Sequence, residues 1–196
     1  MRAITAICLL GALWITGCDN ETANNGDSQA AGTASTPKLP PQSKLDEAGT
    51  QKLMAVVSSY YELKDALVAT NAENADAGAT KLVSATTDLE AHLQTDSINK
   101  ELIQPYLDTL KTGSKAILAE KDKTTEKKRI AFEKVSDAMF GLLRVADIKN
   151  AGVYRQYCPM AFNDKGAYWL SDETEIRNPY FGKKMLECGE VTDSLK

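Results

Sequence analysis

The sequence predicts a mainly α fold: an up-down four-helix bundle with a small, irregular or β-hairpin C-terminal tail packed on it. Three observations carry this reading. Four successive segments between residues 53 and 146 place apolar side chains at spacings of three and four, the mark of helices with one buried face. The polar connections between them are short, which favours antiparallel neighbours. Beyond Gly152 the helical period gives way to aromatic and β-branched residues interrupted by turn signals.

The first seventeen residues read as a leader. Arg2 precedes a mostly apolar run from Ala3 to Ile15 that is too short to span a bilayer stably. Ile15-Thr16-Gly17-Cys18 then resembles a bacterial lipobox, with a branched apolar residue, two small residues and the Cys that is acylated. This predicts a signal peptide over 1–17, lipidation at Cys18, and a lipid-anchored protein in the cell envelope, facing the periplasm or the outer-membrane surface. Acyl chains anchor firmly because each buried methylene contributes about 0.8 kcal/mol. Residues 18–43 are rich in Asn, Ser, Thr, Gly, Ala and Pro, too poor in large apolar side chains to offset ordering entropy, and predict a disordered tether.

Residues 44–192 suffice for a single domain with a real core. The net charge falls from -4 to -5 when Arg2 leaves with the leader. With no clustered basic stripe, nucleic acid is excluded as a partner.

Within this domain, Leu53, Val56, Val57, Tyr60, Leu63 and Leu67 define the first helical stripe. A second runs from about Glu73 to His92 through Ala75, Ala79, Leu82, Thr86 and Leu89. Asp96 or Ser97 caps the third, in which Ile103, Leu107, Leu110 and Ile117 recur. Pro105 lies too far in to be harmless unless the helix starts or bends near it. The fourth, with Phe132, Val135, Met139, Leu142 and Leu143, is entered through the charged run Glu120 to Arg129, read as a solvated helix start. Met139, Tyr60 and Tyr61 fall on apolar stripes and are expected in the core. In the tail, Val153 to Phe162 and Ala167 to Ser171 form a candidate hairpin around Asn163-Asp164-Lys165-Gly166. Asn178-Pro179-Tyr180-Phe181-Gly182 marks a further turn, and Lys183 to Glu187 a single helical turn.

The chemistry sits in this tail, at about 153–190. Cys158 and Met160 are two residues apart and share a face if extended; Met185 and Cys188 are three apart and share a face on a helical turn. If the fold brings the turns together, up to four sulfur ligands meet. Thiolate and thioether donors select Cu(I) or Ag(I) over hard cations. Zinc wants four Cys or His ligands, and the mature domain has two Cys and the distant His92. The same cysteines have a second fate. Exported domains with two cysteines commonly form one disulfide, and joining Cys158 to Cys188 would stabilise by roughly 3 to 4 kcal/mol in the chain-entropy model. Spacing alone leans to the disulfide, with free or redox-active thiols as a third fate.

Catalysis has little support. There is no Ser-His-Asp order, phosphate-cradling Gly loop or Cys-x-x-Cys pair, and no catalytic residue is assigned. Asp172, Glu173 and Glu175 read as a solvated acidic turn.

Three runs carry a specific resemblance: Tyr157-Cys158-Pro159-Met160-Ala161-Phe162, Gly166-Ala167-Tyr168-Trp169-Leu170-Ser171, and Ile176-Arg177-Asn178-Pro179-Tyr180-Phe181-Gly182 leading into Met185-Leu186-Glu187-Cys188-Gly189. The chain resembles the exported bacterial "domain of unknown function 3347" family over about residues 50–192. Similar modules occur fused to CusB-type adaptors of heavy-metal efflux pumps, so the resemblance implies metal homeostasis or efflux, with such an adaptor or another envelope protein as partner. A fainter likeness links Cys158-Pro159-Met160 and Cys188-Gly189 to the heavy-metal-binding domain of those adaptors. There Ala161 replaces a His, Met185 a Cys and Glu190 a Met, leaving a sulfur-only set.

Overall fold

The computed structural model describes residues 39–121 and 123–195. The leader, the lipidation site Cys18 and most of the tether lie outside the described residues. The body is mainly helical, with α1 (Glu47–Val68), α2 (Ala72–His92), α3 (Ser97–Ala119) and α4 (Glu126–Val145). A small antiparallel sheet follows, made of β1 (Val153–Cys158), β2 (Ala167–Ser171) and β3 (Glu190–Leu195).

Side chains cap the first three helices. Asp46, Asn71 and Asp96 accept from the amides of Gly49, Asn74 and Asn99, satisfying donors that a helix start leaves free. Pro105 lies inside α3 and does not end it. It sits on the outer, solvent-exposed face, where the Glu101 carbonyl that loses its intrahelical partner is open to water.

Consecutive helices pack on one another, α1 on α2, α2 on α3 and α3 on α4. Tyr60 joins α1 to α4: its ring stacks on Phe132 at 5.4 Å and its hydroxyl lies 2.8 Å from Ser136 Oγ. Leu53, Leu63, Leu67, Leu82, Leu107 and Leu142 are completely buried between the helices. Met139 and Tyr60 are core residues as the periodicity predicts, both with no exposed surface.

The charged run before α4 departs from expectation. Lys128 and Arg129 are buried, not solvated. Lys128 Nζ donates to Ile117 O at 2.9 Å, to the Glu120 carbonyl and to Asp76 Oδ1 at 2.6 Å. It thus places a cation on the carbonyl end of α3, where the helix dipole favours one. Arg129 donates through Nε to Pro179 O at 2.8 Å and through Nη2 to Leu67 O at 2.9 Å, tying α4 to the tail and to the end of α1.

The sheet order is β2-β1-β3. The predicted hairpin forms, with Tyr157 opposite Tyr168 and Cys158 opposite Ala167. Its connection contains Phe162, Asn163 and Asp164, all with positive φ. The outer strand β3 is an addition to the sequence reading: Glu190 to Asp193 are exposed, and the strand pairs with β1 through its backbone and through Thr192 Oγ1, which donates to Arg155 O at 3.2 Å. The candidate helical turn shrinks to a short 3-10 segment, Gly182–Lys184. The folded body also begins before residue 44, because Gln42 and Lys149 exchange backbone hydrogen bonds of 3.1 and 2.8 Å and Lys44 N donates to Ala146 O.

Candidate functional site

β1 ends at Cys158 and the chain returns to it just before β3 at Cys188, so sheet pairing itself brings the two thiols together. Their sulfurs are 2.9 Å apart, at hydrogen-bonding contact, and both are free thiols. Cys158 is fully buried and Cys188 half-buried. The hydrogen bond shared with Cys158 pushes the Cys188 thiol up to about 11, with burial acting in the same direction and the Met160 backbone opposing both. A thiol raised in this way stays protonated at neutral pH.

The two methionines stand beside this pair. Met160 is exposed and Met185 half-buried, and both line one cleft of about 500 Å³ with Phe162, Tyr180, Phe181 and Lys184. The thiols do not line it. Cys188 is tied to Met185, whose carbonyl accepts from the Cys188 amide at 3.3 Å. Among the described residues no three His, Cys, Asp or Glu side chains converge as a metal-holding group.

Asn178 organises this site, a role that sequence reading, which took it for a turn residue, did not find. It is completely buried. Its Nδ2 donates to the Cys188 carbonyl at 2.7 Å, and its Oδ1 accepts from the amides of Tyr180 and Phe181 at 2.8 and 3.2 Å. Its backbone amide also donates to Leu186 O. The Asn-Pro-Tyr-Phe-Gly turn is therefore clamped to the cysteine segment. The signal was present as an Asx turn next to a proline, but its partner, the Cys188 carbonyl ten residues beyond the turn start, carries no local pattern.

Two glycines make the approach possible. Gly182 has φ +55, and a Cβ there would meet Thr70 Oγ1 at 2.6 Å and Arg129 Nη2 at 2.8 Å. At Gly189 a Cβ would lie 2.7 Å from Tyr157 O and 2.8 Å from the Trp169 ring, so only glycine lets the Cys188 segment close over the sheet.

The tail is seated on the helices by aromatic rings. Phe132 of α4 meets Tyr180 at 5.9 Å, and Tyr180 meets Phe162 at 5.2 Å and Trp169 at 6.0 Å. Tyr180 also donates its hydroxyl to Tyr168 O, and Leu170 N donates to the Tyr60 hydroxyl at 3.0 Å. Of the remaining candidates, His92 Nε2 lies 2.8 Å from Asp46 Oδ1, where α2 ends beside the start of α1. The Glu173 and Glu175 backbone carbonyls accept from the buried Gln156, and their side chains are exposed with that of Asp172.

Fold and site together define a helical domain that carries a sulfur-bearing β tail. Residues 56–151 match the family described as "Protein of unknown function (DUF3347)", and the chain belongs to that family. The matched segment is the helical body; the sulfur motif begins beyond it. No curated protein and no solved structure matches the chain. The likeness to the heavy-metal-binding domain of CusB-type adaptors has no match behind it.

Proposed function

We propose that this chain is an extracytoplasmic lipoprotein, lipidated at Cys18, whose folded domain is a non-catalytic module for one soft monovalent ion, Cu(I) or Ag(I). Cys158, Cys188, Met160 and Met185 are the ligands, and the role is in metal homeostasis or efflux. The observation that carries the reading is the meeting of the two thiols at 2.9 Å, with the Cys188 amide bonded to the Met185 carbonyl. Sulfur-only donors suit soft ions and are poor for Mg or Ca. The scaffold is an up-down-up-down bundle: Asp46 meets His92 where α1 starts and α2 ends, while Lys128 joins the starts of α2 and α4 to the end of α3. The membrane is met through the lipid, and a heavy-metal efflux adaptor or another envelope protein is the partner that takes or gives the ion.

Competition with a Cu(I) chelator under reducing conditions tests the metal site, with one ion per chain expected. Unchanged affinity in the Met160→Ala/Met185→Ala double variant rules out the four-sulfur set. Metabolic labelling with a clickable fatty acid tests the anchor: the wild type labels and Cys18→Ala does not.

The sulfur contact also favours a second reading, a disulfide-stapled structural or interaction lipoprotein with no metal role. A covalent bond needs sulfurs about 2.05 Å apart, a shift of under 1 Å from the thiol contact. Thiol counting on protein isolated from its native compartment separates the readings: two free thiols or bound metal for the first, none for the second.

A further inference from the structure

We infer that Cys158 and Cys188 form a thiol–disulfide exchange site with a fixed order of reaction, in which Cys188 meets an external low-molecular-weight disulfide and Cys158 resolves the adduct. The asymmetry of the pair carries this. Cys158 has no exposed surface: it ends β1 opposite Ala167, itself buried. Cys188 is half-buried, in the irregular segment between the Gly182–Lys184 turn and β3, and is the only one of the two that solvent reaches. The resolving sulfur already lies 2.9 Å behind it. The buried amide of Asn178 holds the Cys188 carbonyl, which keeps the two sulfurs in register.

The exchange balances as follows. Cys188 loses its proton and attacks one sulfur of the external disulfide, breaking that bond and releasing one thiolate, which takes up the proton. Cys158 then loses its proton and attacks the Cys188 sulfur, forming the Cys158–Cys188 bond and releasing the second thiol. The protein pair gives up two electrons and two protons, and the external disulfide is reduced to two thiols. Closure also removes both thiolate donors, so oxidation and ion binding exclude each other; this last consequence alone rests on the metal reading.

The test exposes the reduced full chain, its Cys158→Ala variant and its Cys188→Ala variant to glutathione disulfide, with intact-mass detection and circular dichroism of each protein. Cys158→Ala should gain and keep one glutathione. Wild type should reach the internal disulfide with two glutathione thiols released, and Cys188→Ala should react at least tenfold more slowly than Cys158→Ala. In wild type alone, acid quenching and peptide mapping should place the early adduct on Cys188, which keeps the test decisive if a variant fails to fold. An early adduct on Cys158, equal rates in the two variants, or a stable wild-type adduct would overturn the order. These arms use metal-free protein, so they stand apart from the metal reading, which is tested by whether one equivalent of Ag(I) blocks the reaction.

Discussion

Asn178 and Cys188 show how single side chains set the properties of the site. Replacing Asn178 by Ala leaves the buried amide of Tyr180, the Phe181 amide and the Cys188 carbonyl without partners. Each such orphan costs about 1 to 3 kcal/mol and the effects overlap, so a total loss of roughly 2 to 5 kcal/mol is expected in a urea titration. Asn178→Asp retains the acceptor and should recover part of the loss. The Cys188 thiol gives a pH signature with a definite sign. Its folded value, about 11, lies above the ordinary 9.0, so the stability it contributes is fully present below pH 9 and disappears as pH rises toward 11. The reduced wild type should therefore lose stability over this window more steeply than Cys188→Ala, as denaturation midpoints at pH 8 and 10.5 would show. Asp137 follows the same sign in a lower pH window. Burial, with Glu133 adding to it, raises its carboxyl above the ordinary range, so its ionisation opposes folding as pH rises past 3.8. Asp137→Asn should stabilise the protein at pH 7 relative to wild type, and the gain should shrink toward pH 3.5.

Among the elements, the helices were legible because their cores repeat. Leu53 to Leu67 and Phe132 to Leu143 keep the spacing of three and four that burial on one face requires. Strand β3 was not legible: Glu190 to Asp193 form an exposed edge with no buried face to impose alternation. The left-handed run from Phe162 to Asp164 was read only as a turn, since nothing in Asn163-Asp164 specifies three successive positive φ values. Lys128 and Arg129 looked solvated because the groups that accept their hydrogen bonds include Asp76, Leu67 and Pro179, remote in sequence. That burial makes the α3–α4 junction sensitive. Lys128→Met keeps the bulk of the chain but removes the donor to the Glu120 carbonyl and the cation beside Asp76, and should cost roughly 2 to 4 kcal/mol by thermal or urea unfolding. The exposed pair Lys81 and Glu62 offers the contrast, for Lys81→Met should change stability by less than about 1 kcal/mol.

For the whole molecule, the central issue is whether tail and helices unfold as one. Tyr60, Phe132, Tyr180 and Trp169 form an unbroken succession of rings from α1 through α4 to β2. Trp169 is fully buried, so Trp169→Ala should cost roughly 3 to 5 kcal/mol. It should also speed the reaction of Cys188 with a thiol reagent, because the ring supports Gly189. Unchanged stability in that variant would mean that the tail unfolds independently. The sulfur pair, the turns and the aromatic packing of the tail could be anticipated from residue types. Which sulfurs touch could not, because that depends on β3 returning to β1.

The paired bonds between Gln42 and Lys149, with Lys44 N on Ala146 O, lie at the C-terminal end of α4. The cleft that holds Met160 and Met185 is lined by Glu126 and Arg129, at its other end. The 20 residues of α4 set these two places about 30 Å apart. A mechanical load applied to the chain at Leu39 is therefore borne first by those short bonds, before it reaches the segment that leads into β1 and Cys158.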